Sequence, residues 1–429
     1  MRKAEEEEVH GRPISNVAVK VLFSQIRATA ARVMGSDAAR YRNRNKMWST
    51  TTALNPPSLW VTINFNDLHD PIAQIFSGES IDMDHFEDKT GPSLQTRARN
   101  IARDPYAAAA YFHFMIRLMF RTLFGIEQTP HQVKTHPGVL GHLSSYFGSV
   151  ESQGRGSLHQ HTHFWMKDAP TSPVMRQKLQ SVDFREKISA YIAANIHAHV
   201  PGIDSAGCLR ISRNEIDVGY ARALDPDDPD FWEKFVEVEH RVARSKQVHR
   251  CQERVCLISD KHGNLRCKRH APFPCSPTAF IDENGKWNAK RSYEYFNSWC
   301  PAISVSARCN NNIKLLTNGP ETKSSTIYAT SYASKNQQKT YNLSAVTARE
   351  YAYQDTSMHR PLLTSLREQQ RHLLFRLVHR INCEQEISAP MVMSLLMGWG
   401  DSYQSHNYTT VYWSSFVCAL LSCFPHLKT

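Results

Sequence analysis

The sequence predicts an α+β fold: an antiparallel sheet carrying a histidine-rich strand, helices packed on that sheet, and a mostly helical C-terminal region. Three observations point there. Ser58 to Asn64 (SLWVTIN) is rich in β-branched and aromatic residues, the composition of a buried strand. Tyr146 to Val150 and His159 to Trp165 read as two more strands around Gly154-Arg155-Gly156, whose glycines mark a turn. Asp104-Pro105 opens an apolar run at helical spacing that ends at Gly125, with proline at the first helical position and glycine at the stop.

The composition supports a folded protein. A chain of 429 residues has room for two ordinary domains, and 41% hydrophobic residues fill a sizeable core. That excludes a disordered, collagenous or coiled-coil chain. Fifty-one Lys and Arg against 40 Asp and Glu leave a formal charge of +11, which favours a polyanionic partner such as nucleic acid. The longest apolar candidate for a membrane span, Phe416 to Phe424, is far too short. Glu5 to Glu8 stand where a signal peptide would carry its apolar core, so an intracellular, non-secreted protein is expected.

Residues 1–55 carry an acidic run and the basic run Arg40 to Lys46, and read as an arm with one amphipathic helix, closed by Pro56-Pro57. Leu179 to His199 reads as a helix stopped by Pro201-Gly202, and Asp225 to Asp230 as a loop. Ile303, Val305 and Ala307 alternate with Ser304, Ser306 and Arg308, the period of a half-buried strand. Ser325 to Lys335 reads as a helix, and the chain from Thr347 onward as mostly helical. The expected division is an N-terminal arm (1–55), a sheet-bearing domain (56–345) with a Cys/His insertion (249–275), and a helical C-terminal region (346–429).

The densest polar cluster runs from Glu151 to Trp165. On a strand His159, His161 and His163 share a face, a good start for a divalent metal site, and Glu151 or Gln153 across the turn completes it. A second constellation is Tyr328 and Tyr332, one helical turn apart, with Lys335 three residues on. Helix packing accounts for that spacing on its own; the functional reading is a nucleophile pair beside a cation that steadies phosphate charge. A third is His249, Cys251, Cys256, His262, Cys267, His270 and Cys275. These suit a structural zinc ion, against the alternative of free cysteines in a loop. No phosphate-binding G-x-x-x-x-G-K-[ST] and no H-E-x-x-H occurs. His85-Phe-Glu87 starts a deaminase pattern that Pro274-Cys275 fails to finish.

Together these motifs resemble the replication-initiator-like (Rep/HUH) endonuclease of Helitron rolling-circle transposons, the Helitron helicase-like domain. The matching pieces are Leu59 to Asn64, Gln153 to His161 and Tyr328 to Lys335, with the helix after Asp104-Pro105 and the later Ile387-Ser-Ala-Pro and Tyr412 to Phe416 segments. The resemblance runs from about residue 55 to the C-terminus. It implies that 56–345 is the nuclease domain, that His159 and His161 hold Mg²⁺ or Mn²⁺, and that Tyr328 and Tyr332 cut single-stranded DNA. Cutting would leave a covalent 5′-phosphotyrosine. Arg155 would bind backbone phosphate, and Trp60 or Trp165, if exposed, would stack bases. Gln160 departs from the family, which usually has a bulky apolar residue there; it would face away from the metal and bear on packing. The helicase that follows in the family is absent, so the sequence is expected to be a fragment, a truncated copy or a separate gene product, with any helicase supplied by another chain. A DNA substrate implies a nuclear location. The competing expectation is a catalytically inactive, zinc-containing nucleic-acid-binding protein derived from a transposon.

Overall fold

A computed structural model of the chain describes residues 1–428 apart from 88–89, 130, 153–155, 212–217, 254, 261, 317–326, 328–329, 331–341 and 358–364. Three helices come first: α1 (Arg2–Val9), α2 (Val17–Ala30) and α3 (Asp37–Leu54). The expected arm with one helix is thus three helices. Asn16 and Ser36 cap the second and third by accepting from the Val19 and Ala39 amides. The basic run Arg40 to Lys46 belongs to α3, where Arg40, Asn43, Met47 and Thr50 recur at helical spacing and are buried.

Strand β1 (Leu59–Asn64) follows, then α4 (Pro71–Phe76), α5 (Leu94–Arg103) and α6 (Pro105–Thr122). Asp104 caps α6 by accepting from the Ala107 amide at 2.9 Å, with Pro105 at the first position, where its missing N–H costs nothing. Short strands β2 (Ile126–Gln128), β3 (Val133–Thr135) and β4 (Pro137–Gly138) lead into the long pair β5 (Gly141–Ser152) and β6 (Leu158–Met166). After the short helix α7 (Ser172–Lys178), the helix expected over Leu179 to His199 is α8 (Val182–Asn195), and α9 (Ala206–Ile211) and α10 (Phe231–Lys246) come next. Two small hairpins, β7 (Leu257–Ser259) with β8 (Leu265–Cys267) and β9 (Phe280–Ile281) with β10 (Trp287–Asn288), precede α11 (Pro301–Ala307) and β11 (Asn310–Leu315).

The main sheet has the order β11-β1-β6-β5-β12, where β12 is Ser402–Gln404, and its strand pairs are antiparallel. The α+β expectation therefore holds. A second expectation differs. Ile303 to Ala307 form a helix, not a strand: Pro301 starts it, and the burial of Ser304 between Ile303 and Val305 shows that the alternation was not one of inside and outside. The strand is the next segment, where Asn311 and Ile313 are buried. The C-terminal region is helical over Leu343–Ser357, Leu366–Cys383, Ala389–Leu396 and Trp413–Cys423, apart from the sheet edge β12.

The core fills one face of this sheet. Leu59, Val61 and Ile63 of β1, Tyr146 and Val150 of β5 and Phe164 of β6 pack in one cluster with Phe112, Ile116 and Phe120 of α6. Phe120 meets Tyr146 edge-on at 5.0 Å and Phe124 meets Phe164 at 5.1 Å, favourable aromatic geometry. On the opposite face Met47 of α3 packs with Phe147 and Trp165. There Arg40 donates to the Val150 carbonyl and pairs with Asp401 at 3.0 Å, fixing α3 against β5. No helix among the described residues is long and apolar enough to cross a membrane.

Candidate metal centre

Register decides what β6 presents. Glu151 of β5 lies opposite His159, Ser149 opposite His161 and Phe147 opposite His163, while on the other side Thr62 of β1 faces His161 and Trp60 faces His163. Alternate residues share a face, so these side chains line the surface away from the α6 core, and Gln160 and Thr162 point into that core. The strand sits between two hydrogen-bonded neighbours, which holds its side chains rigidly.

Three of the expected ligands converge, all nearly buried: Glu151, His159 and His161. The two imidazole Nε2 atoms are 3.1 Å apart, and the Glu151 Oε2 atom is 3.7 Å from that of His159 and 4.0 Å from that of His161. A circle through these three atoms has a radius of about 2.1 Å, the ligand distance of a small divalent cation such as Mg²⁺. One ion therefore reaches all three without side-chain movement. Thr62 Oγ1 lies 2.8 Å from His161 Nδ1. If Nδ1 carries the proton and donates it to Thr62, the Nε2 lone pair is left for a cation, the usual role of a hydrogen bond behind a ligating histidine.

His163 does not join this set. It is buried flat against Trp60, with ring centroids 6.3 Å apart and planes 7° from parallel. Burial brings its pKa down to about 4, against the opposing pull of the Phe147 backbone, so it is neutral at pH 7. The two tryptophans offered as base-stacking platforms are also buried: Trp60 packs with His161, His163 and Leu316, and Trp165 donates its indole N–H to the Asn55 carbonyl. Gln153, Arg155, Tyr328, Tyr332 and Lys335 lie outside the described residues.

Of the seven residues in the Cys/His insertion, four converge: His249, Cys251, Cys256 and Cys267. His262 sits exposed in the β7–β8 turn, and His270 and Cys275 are exposed outside the cluster.

Thr62 and Asp67 carry no signal in sequence. Thr62 acquires a role only once the register of β1 against β6 is known. Asp67 lies beyond β1 and accepts from Ser157, which leads into β6, at 3.2 Å; burial raises its pKa, against that hydrogen bond.

Residues 1–163 match the family model described as the Helitron helicase-like domain at the N-terminus. The chain is Helitron-related over this stretch, which contains Glu151, His159 and His161 and begins at residue 1, ahead of the start near 55 that the motifs alone suggested. No curated protein matches the chain.

Proposed function

We propose that this Helitron-related chain is a metal-dependent nuclease that nicks single-stranded DNA and transfers the cut strand during rolling-circle transposition. The observation that carries this reading is the Glu151, His159 and His161 triangle, sized for one divalent cation and contained within the matched segment. Mg²⁺ or Mn²⁺ bound there would polarise a phosphate oxygen and offset charge developing in the transition state. The chain's own groups do the rest. Glu151 supplies an anionic oxygen and the two histidines neutral nitrogens, while Thr62 holds the His161 ring in place.

Tyr328 and Tyr332 are the nucleophiles in this proposal. A phenol has an ordinary pKa of about 10 and must lose its proton as it attacks. Its oxygen forms a bond to phosphorus, the bond from phosphorus to the 3′ oxygen breaks, and that oxygen leaves as a 3′-hydroxyl after taking up a proton. The product is a 5′-phosphotyrosine that keeps the bond energy for rejoining. Lys335 steadies phosphate charge and Arg155 binds the backbone. Only one tyrosine can stand in line with a given phosphate, and Lys335 lies closer in sequence to Tyr332, which we assign the first cut. The site of action would be the nucleus.

The test is nicking of labelled single-stranded DNA with Mn²⁺. Wild type should cut and become covalently attached to the 5′ end. His159→Ala with His161→Ala should abolish cutting, Tyr332→Phe should lose most of it, and Tyr328→Phe should keep cutting but lose strand transfer. Equal cutting by wild type and the double Tyr→Phe variant would remove both tyrosines from the chemistry.

A further inference from the structure

We infer that His249, Cys251, Cys256 and Cys267 form a closed structural zinc site, which fixes the segment that holds the start of strand β11. This lies apart from the proposed nuclease centre and does not depend on it.

The distances from His249 fit a tetrahedral ion. His249 Nε2 lies 3.2 Å from the Cys267 sulfur, 3.5 Å from that of Cys251 and 3.7 Å from that of Cys256. A zinc ion with bonds of about 2.3 Å to sulfur and 2.0–2.1 Å to nitrogen, at tetrahedral angles, places nitrogen and sulfur about 3.5 Å apart. The three distances bracket that value. All four ligand atoms lie within 4.8 Å of one another, and every cysteine is a free thiol.

The backbone is arranged for thiolates as well. The Gln252 amide donates to the Cys256 sulfur at 3.2 Å and the Arg269 amide to the Cys267 sulfur at 3.4 Å. Three thiolates and one Zn²⁺ leave a charge of −1, and Arg269 lies near enough to His249 to act on it electrostatically. Soft sulfur ligands with one imidazole, and no position left over for substrate, are the pattern of a structural zinc ion rather than a catalytic one.

The ligands are short of other support. Cys256 and Cys267 lie side by side at the open end of a hairpin of three-residue strands, and they pack in a small cluster with Ala271. A two-stranded hairpin of this size is marginal by itself. What the cluster anchors is larger. His249 donates its backbone N–H to the Tyr295 carbonyl at 2.7 Å, and two residues back the Gln247 carbonyl accepts from the Asn297 amide at 2.8 Å. The Gln247 side chain is fully buried; its Nε2 donates to the Cys309 carbonyl at 3.1 Å, and its Oε1 accepts from the Asn310 side chain at 3.1 Å and from the Asn311 amide at 3.4 Å. Asn310 in turn accepts from Asn64 of β1 at 2.9 Å. A cluster that holds His249 thus holds the bonds that seat β11 beside β1.

The experiment uses the full chain purified under reducing conditions. Elemental analysis should find one zinc per chain, and zinc-edge X-ray absorption should find three sulfurs and one nitrogen. Cys275→Ser, His262→Ala and His270→Ala should keep the full zinc content, whereas Cys251→Ser should lose it. If that last variant does not fold, the wild-type absorption spectrum decides alone. Chelation of the metal should raise hydrogen exchange at the Asn311 and Ile313 amides at least tenfold, while the β5–β6 amides stay protected. Reduced protein without zinc, or zinc with fewer than three sulfur ligands, or a Cys251–Cys256 disulfide in its place, overturns the site. Unchanged exchange at β11 after zinc release overturns the anchoring.

Discussion

Gln160 stands in the sheet with its side chain in the apolar core. It is fully buried, and neither its amide oxygen nor its amide nitrogen has a hydrogen-bond partner among the described residues. A buried polar group left unsatisfied costs about 1–3 kcal/mol. Gln160→Met keeps the length and removes both polar atoms, so it should raise stability by about 1–3 kcal/mol, less any packing mismatch. Gly148 on the neighbouring strand supplies a second arm. A Cβ there would lie 2.4 Å from Gln160 Nε2 and 2.9 Å from Thr162 Oγ1, so Gly148→Ala should destabilise. Much of that loss should be recovered by Gly148→Ala with Gln160→Ala, because the nearest clashing atom is then gone. Urea denaturation followed by tryptophan fluorescence reads all four proteins. Metal binding should stay unchanged, because residue 160 points away from His159 and His161. A Gln160→Met variant less stable than wild type by 1 kcal/mol or more would mean that the amide is satisfied, and the reasoning would fail.

Burial pushes the Asp70 carboxyl up to about 6, against the hydrogen bond from the Ile72 amide. The folded chain therefore keeps a proton that the unfolded chain releases near its ordinary pKa of 3.8, and stability falls by about 3 kcal/mol as pH rises from below 4 to above 6. Asp70→Asn, which can still cap α4, should be more stable than wild type at pH 8 and show no such advantage at pH 3.5; a pH-independent difference in denaturation midpoint would refute this. Thr62→Val removes the partner of His161 Nδ1 at nearly constant volume, and should weaken Mn²⁺ binding tenfold or more in a calorimetric titration. Identical affinities would show that the ring needs no such support. His163→Phe should leave Mn²⁺ affinity unchanged, because the ring packs on Trp60 outside the ligand triangle; a tenfold loss would return His163 to the metal.

The elements legible in sequence were those whose signals are local. Helix α6 announces itself through Asp104, Pro105 and a long apolar run, and β1 through its β-branched residues. The histidines could be placed on one face because strand alternation needs no partner. What failed needed partners. Ile303 to Ala307 is too short a window to separate alternation from a mostly buried helix, and the basic run Arg40 to Lys46 read as an arm because Asp401, its distant acid, is 361 residues away from Arg40. The same distance effect hid Thr62 and left all seven Cys and His residues of the insertion equally plausible. Only the fold of the β7–β8 hairpin selects four of them.

The strand order carries a consequence for biosynthesis. Strand β6 pairs with β1, about a hundred residues earlier, and β1 in turn pairs with β11, which ends at Leu315, while the far edge β12 begins only at Ser402. The emerging polypeptide therefore makes its histidines long before it makes the strands that flank the sheet. During that interval the free edge of β1 offers its amides and carbonyls to any neighbouring chain, an invitation to mispairing. Production in cells should then be limited by the wait for β11, and slower elongation between codons 166 and 315 should lower the soluble yield.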